Sequence, residues 1–471
     1  MQPMIPVTSF AGHEVAVFGL GASGRSTCLA LLAGGARVAA WDDGEAARTA
    51  AAAEGIHVVD LASADWSRFA VLVLAPGVPL THPEPHWTVE CAQEVGIEII
   101  GDIELFFRER NRLAPNSQVV CITGTNGKST TTALIAHTLE AGGAVVEMGG
   151  NIGVPVLDLA LPDGARIHVL EMSTFQIDLT PSLAPTIGVL LNLSPDHLDR
   201  HGSMENYAAI KERLVASSQA AVIGIDDPLS AAIAGRVAAR GVWVSAISSR
   251  GVKPSVAPLF FDQNDRLNVL ASDGTTTDVG SLDGIGSLRG RHNMQNALAA
   301  LATASLALPG APLSDHVAAF RSFPGLPHRM EEVGRKGKVL FINDSKATNA
   351  DSTEKALTSW PRDIYWILGG LPKEGGITPL ADCFPRVAKA YLIGRAADEF
   401  ARTLDGHVPY EHTGTIDKAL AAAARDAAAS GAPEPVVLLS PACASYDQFK
   451  SYGHRGDVFR ALVAELIKEG G

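Results

Sequence analysis

A lysine set between glycine and hydroxyl residues offers the plainest chemistry in the chain. The run Thr123-Gly124-Thr125-Asn126-Gly127-Lys128-Ser129-Thr130 ends in Gly-Lys-Ser. In such a loop, backbone N–H groups and the start of a helix cradle phosphate oxygens. Lys128 would bring a point charge to the β/γ-phosphates, and the hydroxyl of Ser129 or Thr130 can reach Mg²⁺. The opening glycine of the usual GxxxxGK[ST] loop would fall at position 122, which is Ile122. The loop is therefore related to that motif without being identical to it. Its place between the apolar run 119–122 and the helix-like STTTALIAHTLEAGG favours ATP binding over a chance turn.

Other groups stand at similar places. Glu171 closes the apolar run IHVLE. Alone it reads as a solvated strand-end carboxylate; beside a phosphate loop it reads as a Mg²⁺-binding acid. His197 lies among carboxylates in Ser194-Pro195-Asp196-His197-Leu198-Asp199, after another apolar run, at the strand edge where α/β ligands bind. Lys211, in MENYAAIKERL, reads most simply as a surface lysine. Gly19-x-Gly21-x-x-Gly24 lies between a strand and a helix, and Asp42 follows Gly19 by 23 positions. That spacing suits a diphosphate on a helix N-terminus. It also suits a tight strand-to-helix turn, and it does not single out NAD.

These residues need a scaffold, and the apolar runs supply one. Strands are expected over 14–18, 37–41 and 71–77, then 119–122, 167–171 and 186–193, then 339–344, 364–370, 389–394 and 435–440, with Ala-rich helical stretches between them. Alternation of this kind predicts parallel sheets covered by helices. At about 150 residues per domain, 471 residues suggest three domains. Composition shifts place them at 1–101, 102–325 and 326–471. Acidic residues (51) outnumber basic ones (38), for a net charge of −13, with no Lys/Arg block, so nucleic acid and anionic membrane are not expected partners. The five cysteines are widely spaced and form no CxxC, which supports neither a disulfide framework nor a structural zinc. The N-terminal residues lack a secretory pattern and no apolar run is long enough to span a bilayer, so a cytoplasmic protein is expected.

Taken together, the motifs resemble the Mur ligase family. They are TGTNGKST, GGNIGVP (149–155), EMSTFQID (171–178), NLSPDHLDRHGSMENYAAIKERL (192–214), GRHNMQNALAA (290–300) and PHRMEEV (327–333), in order along the chain. DSKATN (344–349) and SPACASYDQF (440–449) resemble the branch that joins D-glutamate to UDP-N-acetylmuramoyl-L-alanine, and the DNPR signature of the diaminopimelate-adding branch is absent. The resemblance implies an α/β chain of three domains: an N-terminal Rossmann-like domain for the UDP-sugar, a central P-loop-type ATPase domain, and a C-terminal Rossmann-like domain for the amino acid. It implies activation of a carboxylate as an acyl phosphate by ATP, attack by the amine of D-glutamate, and release of ADP and phosphate. It also implies a cytoplasmic step of peptidoglycan precursor synthesis, carried out by a monomer.

Site residues follow from the same resemblance. Gly21, Ala22, Ser23, Asp42, Gly77 and Asn151 would line the UDP-sugar site. Gly124 to Thr130, with Asn293, Asn296, Arg329 and Asp344, would contact ATP. Ser129 and Glu171 would serve a first Mg²⁺ and His197 a second, while Lys128, His197 and Lys211 would be catalytic. Lys211 matches the lysine this family carbamylates with CO₂, which turns a cation into a carboxylate-like metal ligand. Lys346, Thr348, Lys373, Ser445, Tyr446 and Tyr452 would border the amino acid. Tyr446 stands where the family pattern has a smaller apolar residue, and Tyr452 near an expected Phe; a buried Tyr hydroxyl would need a polar partner. Three other readings compete. They are a sibling ligase for another amino acid, an NAD-dependent oxidoreductase resting on Gly19–Gly24, and an inactive nucleotide-binding regulator, which would lack one of Lys128, Glu171, His197 or Lys211.

Overall fold

The computed structural model describes residues 4–251, 258–372 and 375–468. Three sheets form, all largely parallel. In the first, β1 (Glu14–Phe18), β2 (Arg37–Trp41), β3 (Phe69–Leu74) and β4 (Glu98–Ile100) lie in the order β2-β1-β3-β4. The second holds β5 (Gln118–Thr123), β6 (Val145–Gly150), β7 (Arg166–Glu171), β8 (Ile187–Leu190), β9 (Ala220–Gly224), β10 (Trp243–Ser248), β11 (Leu259–Gln263), β12 (Arg266–Leu270) and β13 (Thr276–Ser281). Its order is β13-β12-β11-β10-β9-β8-β5-β7-β6, with only the β11-β12-β13 end antiparallel. The third contains β14 (Glu331–Lys336), β15 (Val339–Asn343), β16 (Ile364–Gly369), β17 (Val387–Ile393), β18 (Tyr410–Gly414) and β19 (Val436–Leu439), ordered β14-β15-β19-β16-β17-β18.

The central strands are continuous apolar runs because helices cover both faces of a parallel sheet. VVCI in β5 and VVLL in β19 are fully buried. The expected α/β class is the one observed. The strand expected over 186–193 pairs only over Ile187–Leu190, after which the chain turns out toward the 192–199 loop. The short apolar stretches of β9 to β13 were not among the expected strands, nor was β6, whose residues are mostly half-exposed along the sheet edge.

By its contacts the chain divides into two compact units. One comprises residues up to Ser281 together with Met294–Ser322; the other comprises Leu282–Asn293 and the chain from Phe323 onward. In the first unit the two sheets share one apolar core, which runs from Val15 and Leu31 through Phe106 and Phe107 to Cys121 and Leu190. Buried polar pins join them. The Glu109 carboxylate accepts N–H bonds from Thr8 (2.9 Å) and Ser9 (2.8 Å), and the Ser26 hydroxyl donates to Asp158 (2.6 Å). The second unit packs both faces of its own sheet, one around Trp366, Leu368 and Phe400, the other around Tyr391, Phe341 and Phe459. All five cysteines are free.

Candidate active site

Strand order decides where the phosphate loop sits. The chain runs from β5 to β6 and back to β7 on one side, then crosses to β8 on the other, so direction reverses at β5. Ligands of open α/β sheets gather outside the carboxyl ends of the strands at such a point. The loop Gly124–Gly127 leaves β5 there and feeds the helix Lys128–Ala141. Gly127 precedes that helix in the left-handed region at φ +84°, and a Cβ on it would overlap the Asn296 side-chain oxygen. Only glycine meets both demands without strain. Asn296 in turn accepts from Thr131 at 3.1 Å, so it braces the first turn of the helix.

Asn192, just beyond β8, holds the loop from the side. Its side-chain oxygen accepts the Asn126 N–H (2.9 Å), and its amide donates to the Asn126 carbonyl (3.2 Å) and to Gln295 (2.7 Å). The Thr125 hydroxyl donates to the Ser194 carbonyl at 3.1 Å and lies 3.0 Å from the Tyr207 hydroxyl. Lys128 Nζ donates to the carbonyls of Gly124 (2.9 Å) and Thr125 (2.8 Å), which keeps its charge over the loop. Ser129 and Thr130 occupy the first turn of the helix, both nearly buried.

Two readings made from single residues are corrected here. Glu171 is no solvated strand-end carboxylate: it is 2% exposed at the end of β7. Its Oε1 accepts from Asn151 Nδ2 at 2.7 Å, while its buried Oε2 has no hydrogen-bond partner. A buried anionic oxygen left open in this way suits a cation. Nor is Lys211 a surface lysine, being 1% exposed. The helix Met204–Ala216 turns Tyr207, Ala208, Lys211, Leu214 and Val215 inward. The spacing of Tyr207, Lys211 and Leu214 is the inward-facing helical period, and it was visible in the sequence. Lys211 Nζ donates to Thr123 Oγ1 (3.1 Å) and to the Gly124 carbonyl (2.9 Å), and sits 4.8 Å from the Tyr207 ring centre. Burial, with the charge of Lys128 added, pushes its pKa well below that of an ordinary lysine. Asp196 and Glu171 oppose that shift.

His197 is exposed, at φ +50°, and opens the short helix Leu198–His201. Its ring meets Phe175 edge-on, with centroids 5.4 Å apart. His201 lies buried, stacked on Phe175 at 5.1 Å, and accepts from or donates to Thr174 Oγ1 at 2.8 Å. Burial, with the electrostatic influence of the neighbouring His197, Lys211 and Arg200, lowers the His201 pKa to about 4. Among the described residues no three His, Cys, Asp or Glu side chains converge as a closed metal cage. Mg²⁺ needs none, since one or two protein ligands complemented by phosphate oxygens and water are its usual set.

In the first sheet the glycine loop follows β1. A Cβ at Gly24 would overlap the Gly19 carbonyl, which explains the third glycine. Gly21, Ala22 and Ser23 form the accessible start of the helix Ala22–Ala33. Asp42 braces this loop with one carboxylate oxygen, accepting from Leu20 N–H (2.6 Å), while the other accepts from Gly44 N–H (2.8 Å) in the turn after β2. Gly77 is exposed beyond β3. Asn151, placed with this group by resemblance, hydrogen-bonds Glu171 by side chain and, at 2.9 Å, by backbone N–H to the Glu171 carbonyl.

In the second unit, loops after β15 and β19 are neighbours because those strands pair. The first carries Asp344, Lys346 and Thr348; the second carries Ser445 and Tyr446. Asp344 is buried, accepting from Ser440 Oγ (2.8 Å) and Met330 N–H (3.2 Å), and burial raises its pKa to about 7. Lys346 Nζ lies 5.8 Å from the centre of the Tyr452 ring. Tyr446 is 71% exposed and Tyr452 is exposed as well, so neither hydroxyl needs a protein partner. Asn293 donates to the Arg289 carbonyl at 2.8 Å. The buried Nε of Arg329 makes no hydrogen bond. Lys373 lies outside the described residues.

Sequence reasoning missed Arg455. Its buried guanidinium donates to Ser345 Oγ and O (2.9 Å each) and to the Cys443 carbonyl (3.2 Å), tying both loops together. An arginine inside the helical run YGHRGDVFRALV was its only trace.

Comparison with known proteins follows the same lines. Residues 122–304 match the Mur ligase middle domain, and residues 328–443 match the Mur ligase, glutamate ligase domain. The UDP-N-acetylmuramoylalanine--D-glutamate ligase of Brucella abortus (strain 2308) is 58% identical over 463 residues, covering 98% of each chain. That of Nitrobacter hamburgensis is 58% identical over 466 residues, again 98% of each. Among solved structures, the UDP-N-acetylmuramate-alanine ligase of Thermotoga maritima aligns with a TM-score of 0.57 at 16% identity, covering 96% of this chain and 99% of the other. A UDP-N-acetylmuramoyl-L-alanyl-D-glutamate--2,6-diaminopimelate ligase aligns at 0.56 with 19% identity, covering 98% and 94%. These two are likenesses of fold.

Proposed function

The chain belongs to the Mur ligase family, and from that premise we propose that it joins D-glutamate to UDP-N-acetylmuramoyl-L-alanine at the expense of ATP. The observation that carries this reading is the 58% identity to D-glutamate ligases across 98% of both chains. The loop geometry supports the ATP-dependent part. A sibling ligase for another amino acid and an NAD enzyme are both disfavoured by the same identity.

A carboxylate resists amide formation because its oxygen leaves poorly. In the proposed reaction a carboxylate oxygen of the terminal alanine attacks the γ-phosphorus of ATP, and the bond to the bridging oxygen breaks, releasing ADP. The amine of D-glutamate then adds to the acyl phosphate carbonyl. The C–O bond to phosphate breaks from the tetrahedral intermediate, and the amine proton passes to solvent. Lys128 and the N–H groups of Gly124 to Thr130 hold the phosphates and offset the charge that gathers on them. Asn293, Asn296, Arg329 and Asp344 are assigned to the remainder of the nucleotide. Gly21, Ala22, Ser23, Asp42, Gly77 and Asn151 are assigned to the UDP-sugar, Asp42 by shaping the glycine loop. Lys346, Thr348, Lys373, Ser445, Tyr446 and Tyr452 are assigned to D-glutamate, whose two carboxylates suit the cations among them.

The open Glu171 oxygen and the Ser129 hydroxyl suit one Mg²⁺, and His197 is assigned to a second by the resemblance. When bound, these ions reduce repulsion between the carboxylate and the triphosphate. CO₂ adds only to an uncharged amine. Burial of Lys211 favours that form, so a carbamate on Nζ is part of the proposal, formed with loss of one proton. Domains at 1–101, 102–325 and 326–471, one per sheet, a monomeric state and a cytoplasmic location complete it. Among the described residues no helix is long and apolar enough to cross a membrane.

Phosphate release with ATP, Mg²⁺ and UDP-N-acetylmuramoyl-L-alanine, varying only the amino acid, tests the reading. Release that depends on D-glutamate, and not on L-glutamate or diaminopimelate, is expected. Release with another amino acid would leave the ligase chemistry and refute the assigned specificity. For the carbamate, ¹³C-bicarbonate should give a carbamate resonance that is missing in Lys211→Arg.

A further inference from the structure

Phe175, to which the proposed reaction gives no part, stands at the centre of a cluster. His197 meets its ring edge-on and His201 stacks on it. A cation completes the set: the guanidinium carbon of Arg200 lies 4.6 Å from the ring centre. Arg200 also donates from Nη1 to the Gly77 carbonyl at 3.0 Å. One side chain thus spans from the loop after β3 to the turn that bears His197. A second contact repeats the connection, since a Cβ on Gly202 would come within 2.8 Å of His82 Nε2. The short helix Leu198–His201 is hydrogen-bonded at both ends. The N–H groups of Arg200 and His201 both donate to the His197 carbonyl, at 3.0 and 3.1 Å, and Asn206 donates to the His201 carbonyl at 3.2 Å.

We propose that Arg200 is a positioning residue that fixes the Gly77 loop against the His197 turn by way of the Phe175 ring. The inference rests on the functional reading above, which puts the UDP-sugar at Gly77 and a metal at His197. Guanidinium suits the task because it is planar. It lies face-on over an aromatic ring while its N–H groups point in-plane to a carbonyl. An ammonium group keeps the charge and loses that double fit. The distance between a bound UDP-sugar and the His197 imidazole is then set by Arg200, and what binds at one end is felt at the other.

Calorimetry without turnover tests this. UDP-N-acetylmuramoyl-L-alanine is titrated into the full chain with and without Mg·ADP, for the wild type, Arg200→Ala and Arg200→Lys. Mg·ADP should tighten UDP-sugar binding to the wild type by about five-fold or more, the lower range of coupling between sites. Arg200→Ala should lose that gain while binding Mg·ADP alone as the wild type does, with an unchanged melting temperature. Arg200→Lys should fall between the two. Full coupling in Arg200→Ala, or wild-type coupling in Arg200→Lys, would overturn the proposal. So would a drop in melting temperature with coupling intact, which would mark Arg200 as merely structural. If the wild type binds UDP-sugar and Mg·ADP but the two are uncoupled, this inference alone fails. If it binds no UDP-sugar, the functional reading fails with it.

Discussion

Glu171 and its neighbour Asn151 show how one hydrogen bond prepares a site. Asn151 occupies one carboxylate oxygen at 2.7 Å and leaves the other buried and open. Glu171→Gln would place an N–H or a neutral oxygen where a cation is expected. Its Mg²⁺ titration, followed by phosphate release, should move to higher metal by at least tenfold. Asn151→Ala leaves the carboxylate free to turn, and the shift expected from losing an outer partner is roughly 10- to 100-fold. Lys128→Ala should lower phosphate release by a factor on the order of 10²–10³, as the loss of one preorganised charge-stabilising donor does elsewhere. His201 makes a different prediction. Its folded pKa of about 4 lies below the ordinary 6.5. Between those values the unfolded chain holds a proton that the native one does not, so stability falls as pH drops from 6.5 toward 4. His201→Phe keeps the stack on Phe175 and should flatten that slope in urea unfolding measured across the window.

Elements explain why some of the site was legible and some was not. The phosphate loop could be read because a strand, a glycine turn and a hydroxyl-rich helix follow one another within about twenty residues, and each leaves a local trace. Gly127→Ala is the test of that loop. A left-handed residue with a Cβ costs roughly 1–2 kcal/mol, and the side chain would also push Asn296 from the first turn of the helix. Lower melting temperature and weaker ATP binding should appear together. Glu109 and Arg455 were not legible, because their partners lie about a hundred residues away in sequence. Burial opposes ionisation of Glu109, but Arg112 and the donors of Thr8 and Ser9 outweigh it and hold the carboxyl below its ordinary value. Its contribution is therefore present at neutral pH and lost in acid as pH falls through that lowered value. Glu109→Gln removes the charge from these bonds and should cost about 1.5–3 kcal/mol, the usual worth of a charge-assisted hydrogen bond, read by urea unfolding at pH 7. The inward turn of Lys211 was legible in principle. The i, i+4, i+7 spacing of Tyr207, Lys211 and Leu214 competed with the habit of reading any lysine as solvated.

At the scale of the whole molecule the two compact units carry different titrating groups, and their stabilities should answer differently to pH. Lys211 is in the first unit, with a native pKa well below the ordinary 10.5. Through that interval the unfolded chain binds a proton that the native chain lacks, so the first unit gains stability as pH rises. Asp344, in the second unit, has a native pKa of about 7 against an ordinary 3.8. There the native chain holds the extra proton, so its contribution declines as pH rises from about 4 to 7 and is flat above. The buried thiols Cys28 and Cys121 begin to count only above their ordinary value of 9.0. On the basic side below pH 9.0, then, Lys211 is the shifted group, its window running up to its ordinary 10.5. Scanning calorimetry in CO₂-free buffer should show the transition of the first unit moving upward across that range while that of the second stays level. Lys211→Met should abolish the rise without touching the second transition. A rise that survives in Lys211→Met would mean that the buried amine is not the group being titrated, and the argument for an uncharged Lys211 open to CO₂ would lose its thermodynamic footing.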